Sequence, residues 1–273
     1  MIAKTPATQP RPQNLRYILQ RAYRRWTDDW SPAVKWRLSP QRRESLRRLR
    51  GYRNLHRGQR CFIIGNGPSL RQMDLGPLRS EFTLGLNRIY MLFDKIGFAT
   101  SYLISVNKLF IEQCAREIAP LPMPKFLSWR GLGAPVESAN TVFVRTSYET
   151  GFSTRPEKLV YESATVTVVA LQLAYYMGFA KVVLIGVDHF FTSQGEPHTT
   201  VVSEGNDSNH FDPAYFEKGF RWQLPDLRAS ERGYRLARQA FEGDGRQIVD
   251  ATVGGQLEVF PKVSYADLVT RAS

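Results

Sequence analysis

The 273-residue sequence predicts an α/β protein with a mainly parallel sheet, preceded by a basic helical extension. Three observations carry that prediction. Short apolar runs alternate with helix-length segments along most of the chain, as βα units do. The first run, Cys61-Phe62-Ile63-Ile64, ends in Gly65-Asn66-Gly67-Pro68-Ser69-Leu70, which reads as a strand-to-helix turn. Charge is segregated: residues 1–60 hold 16 Lys/Arg against 3 Asp/Glu, and residues 61–273 hold 21 against 22. The length suits one large domain plus an extension, and 42% hydrophobic residues is ordinary for a folded protein.

Taken in order, residues 1–13 carry Pro6, Pro10 and Pro12 with little apolar content and read as disordered. Leu15, Ile18, Leu19, Ala22 and Trp26 recur at helical spacing. Ser31-Pro32 and Ser39-Pro40 each mark a further helix start, the second running through Arg50. The charge pattern puts a domain boundary at 59/60, with a basic helical arm over 1–59 and a nucleotide-binding domain over 60–273. In that domain strands are expected at 60–64, 82–86, 101–106, 125–128, 142–145, 181–185 and 247–250. Helices are expected at 70–75, 89–93, 109–118, 163–177, 213–216 and 230–242. Gly243 and Gly245 follow the last of these as a helix stop.

The turn at 65–70 carries the strongest chemical signal. Gly65 and Gly67 let the backbone approach a ligand and adopt positive φ. Ser69 offers a hydroxyl and an N-cap for the next helix, whose free N–H groups attract phosphate. Leu70 stands where the dinucleotide fingerprint has its third glycine, so that motif is not formed. An ordinary tight turn is the alternative. Asn66, Asn87 and Asn107 follow three successive predicted strands, and Asp188 follows the strand 181–185 with its Gly186-Val187 extension. Ligands bind at such strand ends in open α/β sheets, and an asparagine can read a base edge or a ribose hydroxyl. Caps and loop turns are the bland reading of the same residues.

Asp188 and His189 are neighbours on an extended chain, so only one faces a pocket; Asp188 is chosen. The polar stretch 192–212 holds His198, Asp207, Asn209 and His210, and a loop of that length is usually functional or disordered. A histidine there can act as general base near neutral pH. No Asp-x-Asp or Lys-[Ser/Thr] P-loop is present, so no metal is called for. No apolar run approaches the roughly 20 residues that span a bilayer. The N-terminus lacks a signal-peptide core, and Cys61 and Cys114 read as reduced core thiols, pointing to the cytoplasm.

Gly65-Asn66-Gly67-Pro68-Ser69-Leu70, Asn87, Ser105-Val106-Asn107, the stretch from Thr165 to Gly178 and Ile185-Gly186-Val187-Asp188 occur in an order that resembles two related groups. One is the MptE-like family, named after a 6-hydroxymethylpterin diphosphokinase. The other is the Campylobacter-type sialyltransferase family. The resemblance covers about residues 60–255 and implies a Rossmann-like fold of the GT-A-like kind. It implies that Asn66, Ser69, Asn87, Asn107, Thr165, Gly186 and Asp188 surround a CMP moiety. Asn209-His210 looks like the sialyltransferases' Asn-Ser-His-Tyr segment, which would make His210 the base that deprotonates the acceptor. Those enzymes use two tyrosines after the Asp to hold the leaving phosphate. Here His189, Phe190 and Phe191 stand there, so either His189, His198 or a backbone nest serves instead, or the donor differs.

The expectation is a metal-independent glycosyltransferase using a CMP-linked sugar and a glycan acceptor in cell-envelope synthesis, with no cofactor. The alternatives are an MptE-like pyrophosphokinase using ATP and Mg²⁺, and a non-catalytic nucleotide-binding module that recruits partners to membranes. The basic arm over 1–59, with Trp26, Trp30 and Trp36 among its arginines, suits an anionic membrane surface and a peripheral location on the inner membrane. Nucleic-acid phosphates or a homo-oligomer contact are the competing readings.

Overall fold

A computed structural model of the chain describes residues 31–131, 133–134, 136, 138–193 and 195–270. The expected disorder over 1–13, the helix over 15–26, Trp26 and Trp30 lie outside those residues. Contacts divide the chain into a unit of residues 1–39 and a unit of residues 40–273. In the first, Ser31–Leu38 is helical (α1).

Seven strands form one all-parallel sheet: β1 Arg60–Ile64, β2 Phe82–Leu86, β3 Tyr102–Ser105, β4 Lys125–Ser128, β5 Thr141–Val144, β8 Lys181–Ile185 and β11 Gln247–Asp250. Their order is β11-β8-β1-β2-β3-β4-β5. These are the seven runs expected from the sequence, and their side chains are buried on both faces because helices cover the sheet. The chain winds outward from β1 to β5, then returns to place β8 on the other flank of β1. The order therefore reverses between β1 and β8, and the carboxyl ends of these two strands mark the place where open α/β sheets take ligands. Two small sheets complete the set: β6 Thr146–Ser147 with β7 Val160–Tyr161, and an antiparallel hairpin of β9 Thr200–Val202 and β10 Arg221–Gln223.

The helices are α2 Pro40–Gly51, α3 Phe93–Ile96, α4 Lys108–Gln113, α5 Ala115–Ile118, α6 Val166–Met177, α7 Leu227–Gly243 and α8 Tyr265–Thr270. Helix α6 is apolar nearly all round and lies in the core. Helix α7 is amphipathic and buries Ala229, Gly233, Tyr234, Ala237 and Phe241, which fall at helical spacing.

Two expected helices are corrected, and α2, expected within the basic arm, packs on the body. It covers edge strand β5: Phe143 N donates to Ser45 Oγ at 3.0 Å, Arg48 donates to the carbonyls of Ser138, Ala139 and Thr141, and Leu49 is buried. An edge strand has unpaired backbone groups that need such partners. The turn after α2 closes α6, with the amides of Asn54, His56 and Gly58 donating to the carbonyls of Tyr176, Met177 and Gly178. The helix expected at 70–75 is a short 3₁₀ turn, Pro68–Gln72, followed by a second at Gly76–Ser80. Residues 213–216 form no helix: Asp212 Oδ1 accepts from Ala214 N and Asp212 O from Tyr215 N, which makes a local turn.

Candidate functional site

The turn after β1 is held against the end of β8. Gly65 N donates to Ile185 O at 2.8 Å and Gly67 N to Gly186 O at 2.9 Å. Asp188 completes the contact, accepting Ser69 N–H on Oδ1 at 3.0 Å and the Ser69 hydroxyl on Oδ2 at 2.7 Å. Burial raises the Asp188 carboxyl above its usual range, opposed by the two Ser69 bonds and reinforced by the charge of Asp250. A Cβ on Gly65 would sit 2.2 Å from Gly186 O, and one on Gly67 would sit 1.7 Å from Asp188 Oδ2.

The glycines are thus required for close approach, though of β8 and not of a ligand. Neither takes positive φ; Gly67 is at −68°. Ser69 does not cap a helix, and its N–H is spent on Asp188 in place of a phosphate. Gly186, at φ +64°, packs against the Leu70 side chain.

The three asparagines do stand at three successive strand ends, in different states. Asn107 caps α4, accepting Phe110 N on Oδ1, and its Nδ2 donates to Gln223 on the hairpin. Asn87 sits at φ +48°, accepts the Ser105 hydroxyl at 3.1 Å, and leaves its Nδ2 without a partner among the described residues. Asn66 donates Nδ2 to Leu86 O at 3.0 Å, which fixes the orientation of its amide. Its Oδ1 is buried and accepts no hydrogen bond among the described residues. A buried acceptor left open costs about 1–3 kcal/mol.

The segment 207–216 crosses these ends. Phe211 N donates to Asn66 O at 2.9 Å, and Arg71 donates to the carbonyls of His210 and Phe211. Arg88, which follows Asn87, donates to Tyr215 O at 2.6 Å. Tyr215 is buried and its hydroxyl is pushed well above the usual phenol range by that burial. Its ring stacks on His210 at 3.9 Å and 9°. His210 Nδ1 lies 2.7 Å from Asp207 Oδ2, and Nε2 has no partner among the described residues. The main chain next to His210 is thereby joined to Asn66 and Arg71, and that of Tyr215 to Arg88, the residue after Asn87.

His189 and Thr165 gather on the other flank. Thr165 Oγ1 caps α6 by accepting Thr167 N and lies 3.4 Å from Tyr234 OH. The His189 ring packs edge-on to Tyr234 at 6.0 Å, with Nε2 3.4 Å from Glu231. His198 is exposed on the hairpin side, 3.6 Å from Asp226, in contacts separate from those of His210. Asn87, Ser163, Ala164 and His189 are all non-glycine residues at positive φ, between +47° and +59°, and all follow strand ends or precede α6. Such strain clusters at ligand sites because packing must pay to hold it.

Sequence reasoning missed Tyr215, Arg71 and Arg88, whose roles depend on contacts more than a hundred residues distant. It also missed Arg130 and Glu162, a buried pair 3.0 Å apart beyond β4. No group of three or more His, Cys, Asp or Glu side chains that could hold a metal occurs among the described residues. No helix among them is long and apolar enough to cross a membrane.

The strand order and the helices covering the sheet define a Rossmann-like α/β protein. No family model matches the chain, and no curated protein matches it, so the resemblance to the MptE-like and sialyltransferase groups rests on motifs. The chain is similar to the solved MAf glycosyltransferase of Magnetospirillum magneticum AMB-1 at 17% identity and a TM-score of 0.48. That match covers 83% of this chain and 39% of the other. At such a distance the two need share no chemistry.

Proposed function

We propose that this chain is a glycosyltransferase that moves an acid sugar from a CMP-linked donor to a glycan hydroxyl. The observation that carries the reading is a buried acceptor without a partner among the described residues, Asn66 Oδ1, on the residue whose carbonyl holds the segment carrying His210. A nucleobase amino group or a ribose hydroxyl supplies the donor that Asn66 lacks, and Asn87 Nδ2 offers a second polar contact. His210 Nε2 takes the proton of the acceptor hydroxyl as its oxygen bonds to the anomeric carbon. The bond from that carbon to the nucleotide phosphate breaks, and the phosphate leaves with the electron pair. Orientation of the two substrates would supply most of the rate.

Pyrophosphoryl transfer from ATP would call on Asp188 and Asp207 for a divalent ion. Both carboxylates already have partners, Ser69 and His210 respectively. The test is a thermal-shift screen against CMP, CDP, UDP, GDP, ADP and ATP, each with and without Mg²⁺. A ligand that binds only the native state raises the melting temperature. Stabilisation by CMP without metal, lost in Asn66→Ala, is the expected result. Stabilisation by ATP with Mg²⁺ alone overturns the reading.

A further inference from the structure

We propose that Asp207 is a positioning residue that decides which nitrogen of His210 does the chemistry. The inference rests on the reading of His210 as the base of the site. The Asp207 side chain is 4% exposed and His210 13% exposed, so water does not compete freely for their 2.7 Å contact. An ionised carboxylate can only accept, so Nδ1 must be the protonated nitrogen. In the neutral ring Nε2 then carries the lone pair, and Nε2 is the atom left without a partner among the described residues.

The carboxylate cannot rotate away from this task. Its other oxygen, Oδ1, accepts Asn209 N–H at 2.8 Å, and Asp207 N donates to Pro213 O at 2.9 Å. The ring plane is fixed independently. Tyr215 stacks on one face, Phe216 packs edge-on at 4.8 Å, and Arg88 anchors Tyr215 through its carbonyl. The charged groups facing this unit are Asp207, Arg71 on the His210 carbonyl, and Arg88, which is itself paired with Glu117.

Asp207→Asn has a defined consequence. The backbone N–H of Asn209 holds the amide oxygen, so the amide NH₂ must face His210. An NH₂ group donates, which forces Nδ1 to accept and puts the proton on Nε2. The variant keeps the fold, the ring position and the donor site, yet presents a nitrogen that cannot take a proton.

The experiment is ¹⁵N–¹H correlation of the imidazole side chains in the full-length protein, at alkaline pH where the rings are neutral. The chain has four histidines, and His210→Gln identifies the signal. The expected result is the Nδ1–H tautomer in the native protein and the Nε2–H tautomer in Asp207→Asn. Transfer from a CMP-sugar should fall about 10²- to 10⁴-fold in that variant, the usual worth of a general base, with donor KM unchanged. Asp207→Glu, which can only accept, should keep the native tautomer. An Nε2–H tautomer in the native protein overturns the inference, and so does an unchanged tautomer in Asp207→Asn. The tautomer readout needs no turnover. If it behaves as expected while His210→Ala transfers sugar at full rate, the positioning role stands and the base assignment falls.

Discussion

Replacing Gly67 with alanine tests whether the seam between β1 and β8 is held by the contact between Asp188 and Ser69. The backbone at Gly67 is extended at φ −68°, so alanine meets no conformational penalty there. The added methyl would lie 1.7 Å from Asp188 Oδ2 and 2.4 Å from its Cγ, and the carboxylate must swing out. Both Ser69 hydrogen bonds are then lost. Bonds to a charged group contribute roughly 1.5–3 kcal/mol each. Rehydration of a carboxylate that burial had disfavoured returns part of this. The reduced freedom of the unfolded chain returns about 0.4–1 kcal/mol more. The net expectation is a loss of about 2–4 kcal/mol, read as a shift in the urea midpoint at unchanged slope. The double variant with Asp188→Ala is decisive. Without the carboxylate the nearest remaining contact is the backbone oxygen of Gly186 at 2.9 Å, which needs a small shift, so the substitution should cost clearly less in that background than with Asp188 present. Gly65→Ala is the control. Its methyl would meet the backbone oxygen of Gly186 at 2.2 Å, which Asp188→Ala cannot relieve. An equal cost for Gly67→Ala with and without Asp188 refutes the reasoning.

Two further outcomes follow from the buried network. Ser45→Ala leaves the N–H of Phe143 without its acceptor on the sheet edge and should cost about 1–3 kcal/mol in unfolding free energy. Unchanged stability would mean that water satisfies this edge. Glu162 is held up to about 7 by burial, with Arg130 pulling the other way, against an ordinary 4.5. A raised carboxyl binds its proton more tightly in the folded state, so its contribution is full below 4.5 and is lost as pH rises towards 7. Relative to Glu162→Gln, the native protein should therefore lose about 3 kcal/mol between those limits. A flat or rising difference in denaturant titrations at the two pH values would contradict this.

The central sheet was legible because each of its strands is a short apolar run buried on both faces, which needs no partner information to recognise. The strand ends were legible for a related reason: Asn66, Asn87, Asn107 and Asp188 interrupt apolar runs. What these residues do was legible only in part. Asn107 is the helix cap that the plainer reading of these asparagines offered, Thr165 is a cap as well, and Ser69 lost its expected capping role to a carboxylate 119 residues away. Such a pairing leaves no local trace. Asp207 stands three residues before His210, a spacing that could have flagged the pair, but Tyr215 beneath the ring could not be read. The basic charge of α2 hid its structural task, because Ser45 and Leu49 are two positions in a segment dominated by arginine.

The segment carrying His210 is attached to the sheet through main-chain atoms: the amide and carbonyl of Phe211, and the carbonyls of His210 and Tyr215. Its own rings hold it as well: Phe211, Tyr215 and Phe216 are buried, and the Tyr215 hydroxyl lies 3.4 Å from the amide of Arg88. The strip is therefore gripped twice, by backbone hydrogen bonds and by aromatic side chains of its own. A replacement strip that kept the three holding points at Asn66, Arg71 and Arg88 would still have to fill the space of those rings.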